Sequence, residues 1–223
     1  MRYAIFSDLH DNLTAFYQVL QDGLDHDAEQ FIFLGDAGRD RQIFQELQTR
    51  QILCTFGNWE VSGWSRLAAP MDAWVREWPA AIQVGRMLFC HATPDLPAAV
   101  TTTATASSYM SNGVGWSTLF PRLHRNEEAR WAALAAMENQ NLRVAFHGHT
   151  HVQQVWAWTI ADNGSRRLHS FTEPQEFVLE AGNDATPNRY LIGVGSAGAP
   201  DDGPQLRYVL YDDLTQKVSL RRL

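Results

Sequence analysis

Five times the chain runs through a short apolar stretch and stops on a residue that can bind a cation or exchange a proton. Residues 2–8 (RYAIFSD), 30–36 (QFIFLGD), 51–58 (QILCTFGN) and 86–94 (RMLFCHATP) bring in Asp8, Asp36, Asn58 and His91, and residues 143–146 (RVAF) run straight into HGHTH. Each stretch has the length and apolar content of a buried strand closed by Gly or a polar residue. Helical spacing fills the first gaps: Leu13, Phe16, Val19, Leu20 and Leu24 recur along 12–24, and 39–50 (RDRQIFQELQTR) has the same character. Alternating strands and helices predict an α/β layer structure, in which the carboxyl ends of the strands share one edge and ligands bind there.

The remainder completes that architecture. Residues 66–78 (RLAAPMDAWVREW) read as a helix with Trp74 and Trp78 one turn apart in the core, and 126–140 (NEEARWAALAAMENQ) as a helix whose first turn is acidic, complementing its dipole. After the strand at 51–58, Gly57 to Glu60 read as a tight turn. Residues 152–171 predict a hairpin turning at Asn163-Gly164, 189–195 a further strand, and 206–223 a closing hairpin. Residues 95–125 are rich in Thr, Ala, Ser and Gly with no sustained period, and read as a loop or cap inserted into a single domain spanning 1–223.

Composition excludes several classes. At 223 residues and 45% hydrophobic side chains the chain can build one large core. Its formal net charge of −7 opposes non-specific binding to nucleic acid or anionic membrane, because a phosphate-backbone binder presents a basic face. Cys54 and Cys90 sit in apolar runs, where a reduced thiol serves as a small hydrophobe. With no basic, apolar leader at the start and no apolar stretch of about 18 residues, the expectation is a cytoplasmic protein.

Asp8 with His10, and His147 with His149, are i, i+2 pairs, so in extended chain both members of a pair face one side. With Asp36, Asn58 and His91 they supply oxygen and nitrogen donors from five strand ends. Two carboxylates, an amide oxygen and four imidazoles suit two divalent ions about 3.5 Å apart that share a carboxylate. Mixed donors favour Mn, Fe or Zn over Ca or Mg. Residues 193–198 (GVGSAG) match G-x-G-x-x-G, but Ala199 to Gly203 spell a turn where a dinucleotide fingerprint needs a helix. That segment is expected instead to pass close to the metal edge as a Gly-rich loop.

Taken in order, SDLHDN, LGDAG, GNWE, CHATP and HGHTH resemble the motif set of the calcineurin-like metallophosphoesterase superfamily. Residues 193–213 (GVGSAGAPDDGPQLRYVLYDD) are similar to a Gly-Ser-x-Gly-x-Pro segment of its small bacterial phosphodiesterase branch, which diadenosine-tetraphosphate hydrolases resemble. The resemblance implies two mixed β-sheets packed face to face and flanked by helices. It implies one metal held by Asp8, His10, Asp36 and His149 and another by Asp36, Asn58, His91 and His147, with Asp36 as the bridge. His151 is then a neighbour of the site and not a ligand. It implies a metal-dependent phosphoesterase of small phosphorylated substrates, with manganese foremost and Fe, Zn or Ni as alternatives.

One position departs from the pattern. Most of the superfamily carries His after the motif Asn, and here that residue is Trp59. Indole has no titratable proton to give a leaving group. A general acid contributes about 10²- to 10⁴-fold, so its loss favours good leaving groups such as a nucleoside phosphate expelled from a phosphoanhydride. The expected substrates are phosphodiesters or phosphoanhydrides, with dinucleoside polyphosphates and similar nucleotides foremost. Trp59 either stacks on a base or plugs the rim, and Arg39 and Arg41 either grip phosphate or begin a solvated helix. His26, His124 and His169 read as surface residues, with His124 and Arg125 near the cap. Two other readings stand beside this one: a protein phosphatase, although GDAGRD lacks the Gly-Asp-x-x-Asp-Arg-Gly of that branch, and a non-catalytic metal-binding scaffold of the same fold.

Overall fold

The computed structural model describes residues 1–113, 115–160, 164–182 and 187–223. Strand β1 (Arg2–Phe6) pairs in parallel with β2 (Gln30–Phe33), and β2 with β3 (Leu53–Cys54). Helices α1 (Leu13–Asp25) and α2 (Arg41–Thr49) make the two crossovers. Each begins on a side-chain cap: Asn12 accepts from the Ala15 amide and Asp40 from the Gln42 amide. On its other side β1 pairs antiparallel with β11 (Arg207–Asp212), followed by β12 (Lys217–Arg222) and β9 (Glu176–Val178).

The second sheet has the spatial order β4 (Ala81–Val84), β5 (Met87–Cys90), β6 (Val144–His147), β10 (Arg189–Val194), β7 (Gln153–Ile160) and β8 (Arg166–Phe171). Here β5, β6 and β10 run parallel, while β4 and β7 join them antiparallel. Both sheets are therefore mixed and six-stranded, as the sequence resemblance implies.

Side-chain alternation sorts the core. Tyr3 and Ile5 point inward and meet Phe89, Val144 and Phe146 of the facing sheet, with Tyr3 and Phe89 ring centroids 5.7 Å apart. Ala4 and Phe6 point outward and pack with Phe16, Val19, Ile43 and Phe44 of α1 and α2. On the far side, Leu88, Cys90 and Ala145 lie under Leu134 and Met137 of α7 (Glu127–Asn139). Each such large side chain contributes about 1.5–3 kcal/mol when fully buried. Cys54 and Cys90 are free and buried in different clusters.

Several elements differ from the sequence expectation. The third strand keeps only Leu53 and Cys54, and the expected turn at Asn58 is the start of helix α3 (Asn58–Gly63). A 3₁₀ turn at Trp64–Arg66 and α4 (Met71–Arg76) replace the longer helix over 66–78. Residues 95–125 contain α5 (Thr103–Ser111) and the short α6 (Trp116–Leu119). Helix α5 has little amphipathic signature: its start is fixed by Thr102 and Thr105, whose hydroxyls take each other's backbone N–H, and it packs on α3 and α4. Both predicted hairpins pair as expected, Val155 with Phe171 and Arg207 with Arg222. Asn163 of the first hairpin's turn lies outside the described residues.

Candidate metal centre

Parallel pairing of β1 with β2 and of β5 with β6 aims their carboxyl ends the same way. The loops that follow are laced together. Asp8 N donates to Gly35 O (2.9 Å), His10 N to Asp36 O (3.1 Å) and Asp11 N to Ala37 O (3.0 Å). The Gly-rich segment after β10 closes over them, with Ala197 N on Ser7 O, Gly198 N on Asp8 O (2.9 Å) and Ser196 Oγ on Asp8 O (2.8 Å). A Cβ at Gly198 would sit 1.8 Å from Leu9 O, so only glycine admits this approach. No helix follows, which rules out the dinucleotide fingerprint.

Extended i, i+2 pairs are not what bring the donors together. Asp8, His10, Asp36, His149 and His151 have φ of 55°, 46°, 63°, 61° and 58°, in the left-handed region. Each such residue costs roughly 1–3 kcal/mol, a strain that persists where structure overrides local preference and that clusters at functional sites.

Two donor groups result. In the first, single ligand atoms of Asp8, His10 and His151 lie within 4.8 Å of one another: His10 Nε2 is 3.0 Å from His151 Nε2, which is 3.3 Å from Asp8 Oδ1. In the second, Asp8, Asp36 and His91 meet the same limit, and Asn58 Oδ1 stands 3.2 Å from His91 Nε2 and 2.9 Å from His149 Nδ1. Three of these imidazoles are fixed by a backbone carbonyl: His91 Nδ1 to Leu34 O (2.9 Å), His149 Nε2 to Phe120 O (2.9 Å) and His151 Nδ1 to Ala199 O (2.6 Å). Donation of one N–H outward leaves the other nitrogen turned toward the group, the way metal-bound histidines are oriented.

The histidine register differs from the sequence expectation. His149 falls with Asn58 and His91, and His151 takes the place beside Asp8 and His10 that was expected for His149. His147 is the last residue of β6 and belongs to neither group; its Nδ1 lies 3.0 Å from Gly148 O. His124 also departs from the surface reading, since both its ring nitrogens are buried without a hydrogen-bond partner among the described residues.

Asp8, Asp36 and Glu60 are 0%, 1% and 3% exposed. Among the described residues, none of them pairs with a lysine or arginine. Burial, then the charges of Glu60 and Asp8, push Asp36 well above the usual carboxylate range. Burial opposes ionisation of Asp8 too, but the close approach and charge of His151, with the charge of His91, hold it low. Burial takes His91 down to about 4 and His149 to about 3, leaving neutral rings with lone pairs to offer. Burial also opposes charge on His151, yet its contact with Asp8 outweighs that and raises it. Asp8 Oδ1 remains buried without a hydrogen-bond partner. Buried carboxylates, neutral imidazoles and an orphaned oxygen with no protein cation nearby fit divalent ions.

Glu60 is the residue whose role escaped the sequence reading. Its carboxylate accepts from the amides of Asp36 (2.9 Å), Ala37 (2.9 Å) and Gly57 (2.7 Å), so one side chain ties the loop after β2 to the start of α3. Trp59 N donates to Asp36 Oδ1 (2.8 Å) in the same knot. A Cβ at Gly57 would lie 2.1 Å from Asp36 Oδ1, which explains the glycine before the motif Asn. The only local sign was a Glu three residues after the helix N-cap.

A cleft of about 470 Å³ opens beside the second group. Asn58, His149, Trp59, Trp64 and Leu67 line it, and Trp116 and Phe120 contribute to its lining from the 95–125 segment. Trp59 meets His10 edge-on (5.2 Å between centroids), with the Arg39 guanidinium 5.4 Å from its ring centre. Arg39 lines the cleft and Arg41 does not.

The profile of the calcineurin-like phosphoesterase superfamily domain matches residues 1–214, and the chain belongs to that family, whose members are metal-dependent hydrolases of phosphorylated substrates. The fold is also that of a metallophosphoesterase from Sphaerobacter thermophilus (TM-score 0.68, 21% identity, covering 100% of this chain and 88% of that one). An archaeal phosphodiesterase has TM-score 0.53 and 15% identity, covering all of both chains. A proposed diadenosine tetraphosphatase has TM-score 0.50 and 12% identity, covering 99% of this chain and 93% of that one. At these identities the likeness is one of fold. No curated protein matches the chain by sequence. Among the described residues, no helix is long and apolar enough to cross a membrane.

Proposed function

We propose that the chain hydrolyses phosphodiester or phosphoanhydride bonds with two divalent ions, manganese foremost. One ion is held by Asp8, His10, Asp36 and His151, the other by Asp36, Asn58, His91 and His149. The reading makes 1–223 one catalytic domain with 95–125 as its cap, acting in the cytoplasm. The observation that carries it is the trio His91, His149 and His151, each fixed outward to a carbonyl and open inward beside buried carboxylates that lack a cation.

Ions bound there supply Lewis acidity toward phosphoryl oxygens and acidify a water. What the chain supplies is position and shelter, together with a restriction on the leaving group. Glu60 has both oxygens committed to backbone amides, and His149 has Nε2 committed to Phe120 O, so neither cleft-lining group is free to protonate a departing alkoxide. Trp59 has no titratable proton. The substrates served best are those whose leaving group departs as a stable anion, such as a nucleoside phosphate leaving a dinucleoside polyphosphate. Arg39 adds positive charge at the mouth.

With added manganese, the protein should hydrolyse bis(p-nitrophenyl) phosphate and diadenosine tetraphosphate, and turn over an alkyl phosphomonoester slowly. Trp59→His should raise the alkyl rate by about 10²-fold. Metal-loaded protein inert toward the first two substrates would leave a scaffold in place of an enzyme. An alkyl rate unmoved by Trp59→His would sink the leaving-group argument.

A further inference from the structure

The cleft beside Asn58 and His149 has walls that coordination of a phosphoryl group does not require. Three indoles and a phenyl ring line one space: Trp59, Trp64, Trp116 and Phe120. Scattered surface aromatics are ordinary, but Trp116 is 48% exposed and belongs to a four-residue helix. Its ring leans on Phe120, 5.4 Å between centroids and 33° between planes. Phe120 in turn is anchored to the centre, its ring 5.8 Å from that of His149 and its carbonyl receiving His149 Nε2. The cap's aromatic surface is thereby held at a fixed place relative to the donor groups.

Charge adds a second constraint. Arg39 and Arg66 also line the cleft, and among the described residues neither forms an ion pair, in a chain whose formal net charge is −7. Flat aromatic faces beside unpaired guanidinium groups suit a ligand that is planar at one end and anionic at the other. A volume of about 470 Å³ is within the roughly 300–1,000 Å³ range of small-molecule sites.

We infer that this cleft is a nucleobase subsite: it takes the purine or pyrimidine ring of a nucleoside phosphate, stacked on Trp116 and facing Trp59 and Trp64, with Arg39 and Arg66 receiving phosphate oxygens outside the metal groups. The inference rests on the proposed phosphoesterase reading, because Asn58 and His149 put the cleft next to where phosphorus would be held. It adds the residues that choose the substrate. Trp116 is the most informative of them, since its exposure makes it expendable for folding.

The test is binding, which does not depend on turnover. Dissociation constants for adenosine 5′-monophosphate, ribose 5-phosphate and phosphotyrosine are measured by titration calorimetry on wild type and Trp116→Ala, with and without manganese. Thermal melting of both proteins verifies that the variant folds. Wild type should bind the nucleotide more tightly than ribose 5-phosphate, and Trp116→Ala should weaken nucleotide binding about tenfold or more while moving ribose 5-phosphate less than twofold. Trp116→Phe should restore most of the loss. Equal affinity of wild type for the two phosphates, an equal loss on both, or a loss confined to phosphotyrosine overturns the inference. A protein that discriminates the base yet hydrolyses nothing fails as a phosphoesterase and keeps the subsite; one that hydrolyses bis(p-nitrophenyl) phosphate without discriminating the base does the reverse.

Discussion

Carboxylates shielded from solvent to different degrees occur in two regions of this molecule, and the protein treats them in opposite ways. On α1, Asp22 receives both ends of the Arg221 guanidinium (2.9 and 2.8 Å) and the hydroxyl of fully buried Tyr208. Its cation is part of the chain, and the pair is bidentate, the strong geometry for such contacts. At the strand ends, Asp8 and Asp36 are almost wholly buried, with imidazoles around them and, among the described residues, no lysine or arginine paired to them. A chain that supplies arginine to one carboxylate and withholds it from two others has built one site to be complete and another to receive charge from solution. Left-handed backbone at Asp8, His10, Asp36, His149 and His151 adds strain on the same side of the contrast.

The sharpest way to break that contrast is to remove one carboxylate from the incomplete site. Asp36→Asn should cut turnover by roughly 10³-fold or more, because in the proposed reading the residue would serve both ion sites. Its stability should move in two directions. In chelator the variant should be more stable than wild type by on the order of 1–3 kcal/mol, since one of several crowded buried charges is gone. With manganese at a thousandfold excess over its dissociation constant the order reverses, because wild type alone gains about 4 kcal/mol from binding. Melting in chelator and in manganese reads both signs, and a variant less stable than wild type in chelator would make Asp36 a structural carboxylate like Asp22.

Glu60 is the intermediate case, a buried carboxylate compensated by backbone amides. Burial raises it above the usual range while the amides of Asp36, Ala37 and Gly57 pull the other way. Glu60→Gln keeps the shape but offers one acceptor oxygen where two are used. Manganese affinity and kcat should fall about 10- to 100-fold with KM little changed, the pattern of a group that orients ligands without touching substrate. A KM effect equal to the kcat effect would place Glu60 in contact with substrate instead.

How much of this was legible in the sequence follows from where each signal resides. Strand ends were visible because an apolar run that stops on Gly and a polar residue is a local pattern: Asp8, Asp36 and His91 follow β1, β2 and β5, while Asn58, read as a strand end, opens α3. The HGHTH register was not, because spacing alone cannot say whether His147 is the last residue of a strand or the first of a loop. The structure makes it the strand's end and puts His149 and His151 in the loop beyond it. Glu60 was hidden for a different reason: its partners at Asp36 and Ala37 lie 24 and 23 residues away, and a side chain that bonds backbone amides leaves no complementary residue type to find. Helix α5 was missed because a threonine capping box and packing against α3 and α4 hold it, with almost no apolar period along its length. The cleft's aromatic lining is divided between Trp59 and Trp64 on one segment and Trp116 and Phe120 on another, a proximity only the fold creates.

Asp22 sharpens the contrast from the side with the smallest effect on chemistry. Burial opposes its charge, but Arg221 and Tyr208 outweigh that and hold its pKa below the usual carboxylate value. A folded-state pKa lower than the unfolded one, about 3.9, means the ionised side chain stabilises the fold above that value and loses its contribution as pH falls toward the folded pKa. Asp22→Asn should therefore cost about 1–3 kcal/mol at pH 7, the range for hydrogen bonds to a charged group, with kcat and metal content per folded molecule unchanged. The gap between variant and wild type should narrow as urea titrations are carried from pH 5 down through pH 3. Manganese should leave the gap as it is, because Asp22 already has its cation; a gap that widened or closed with added metal would tie this carboxylate to the centre and remove the distinction on which the assignment of Asp8 and Asp36 rests.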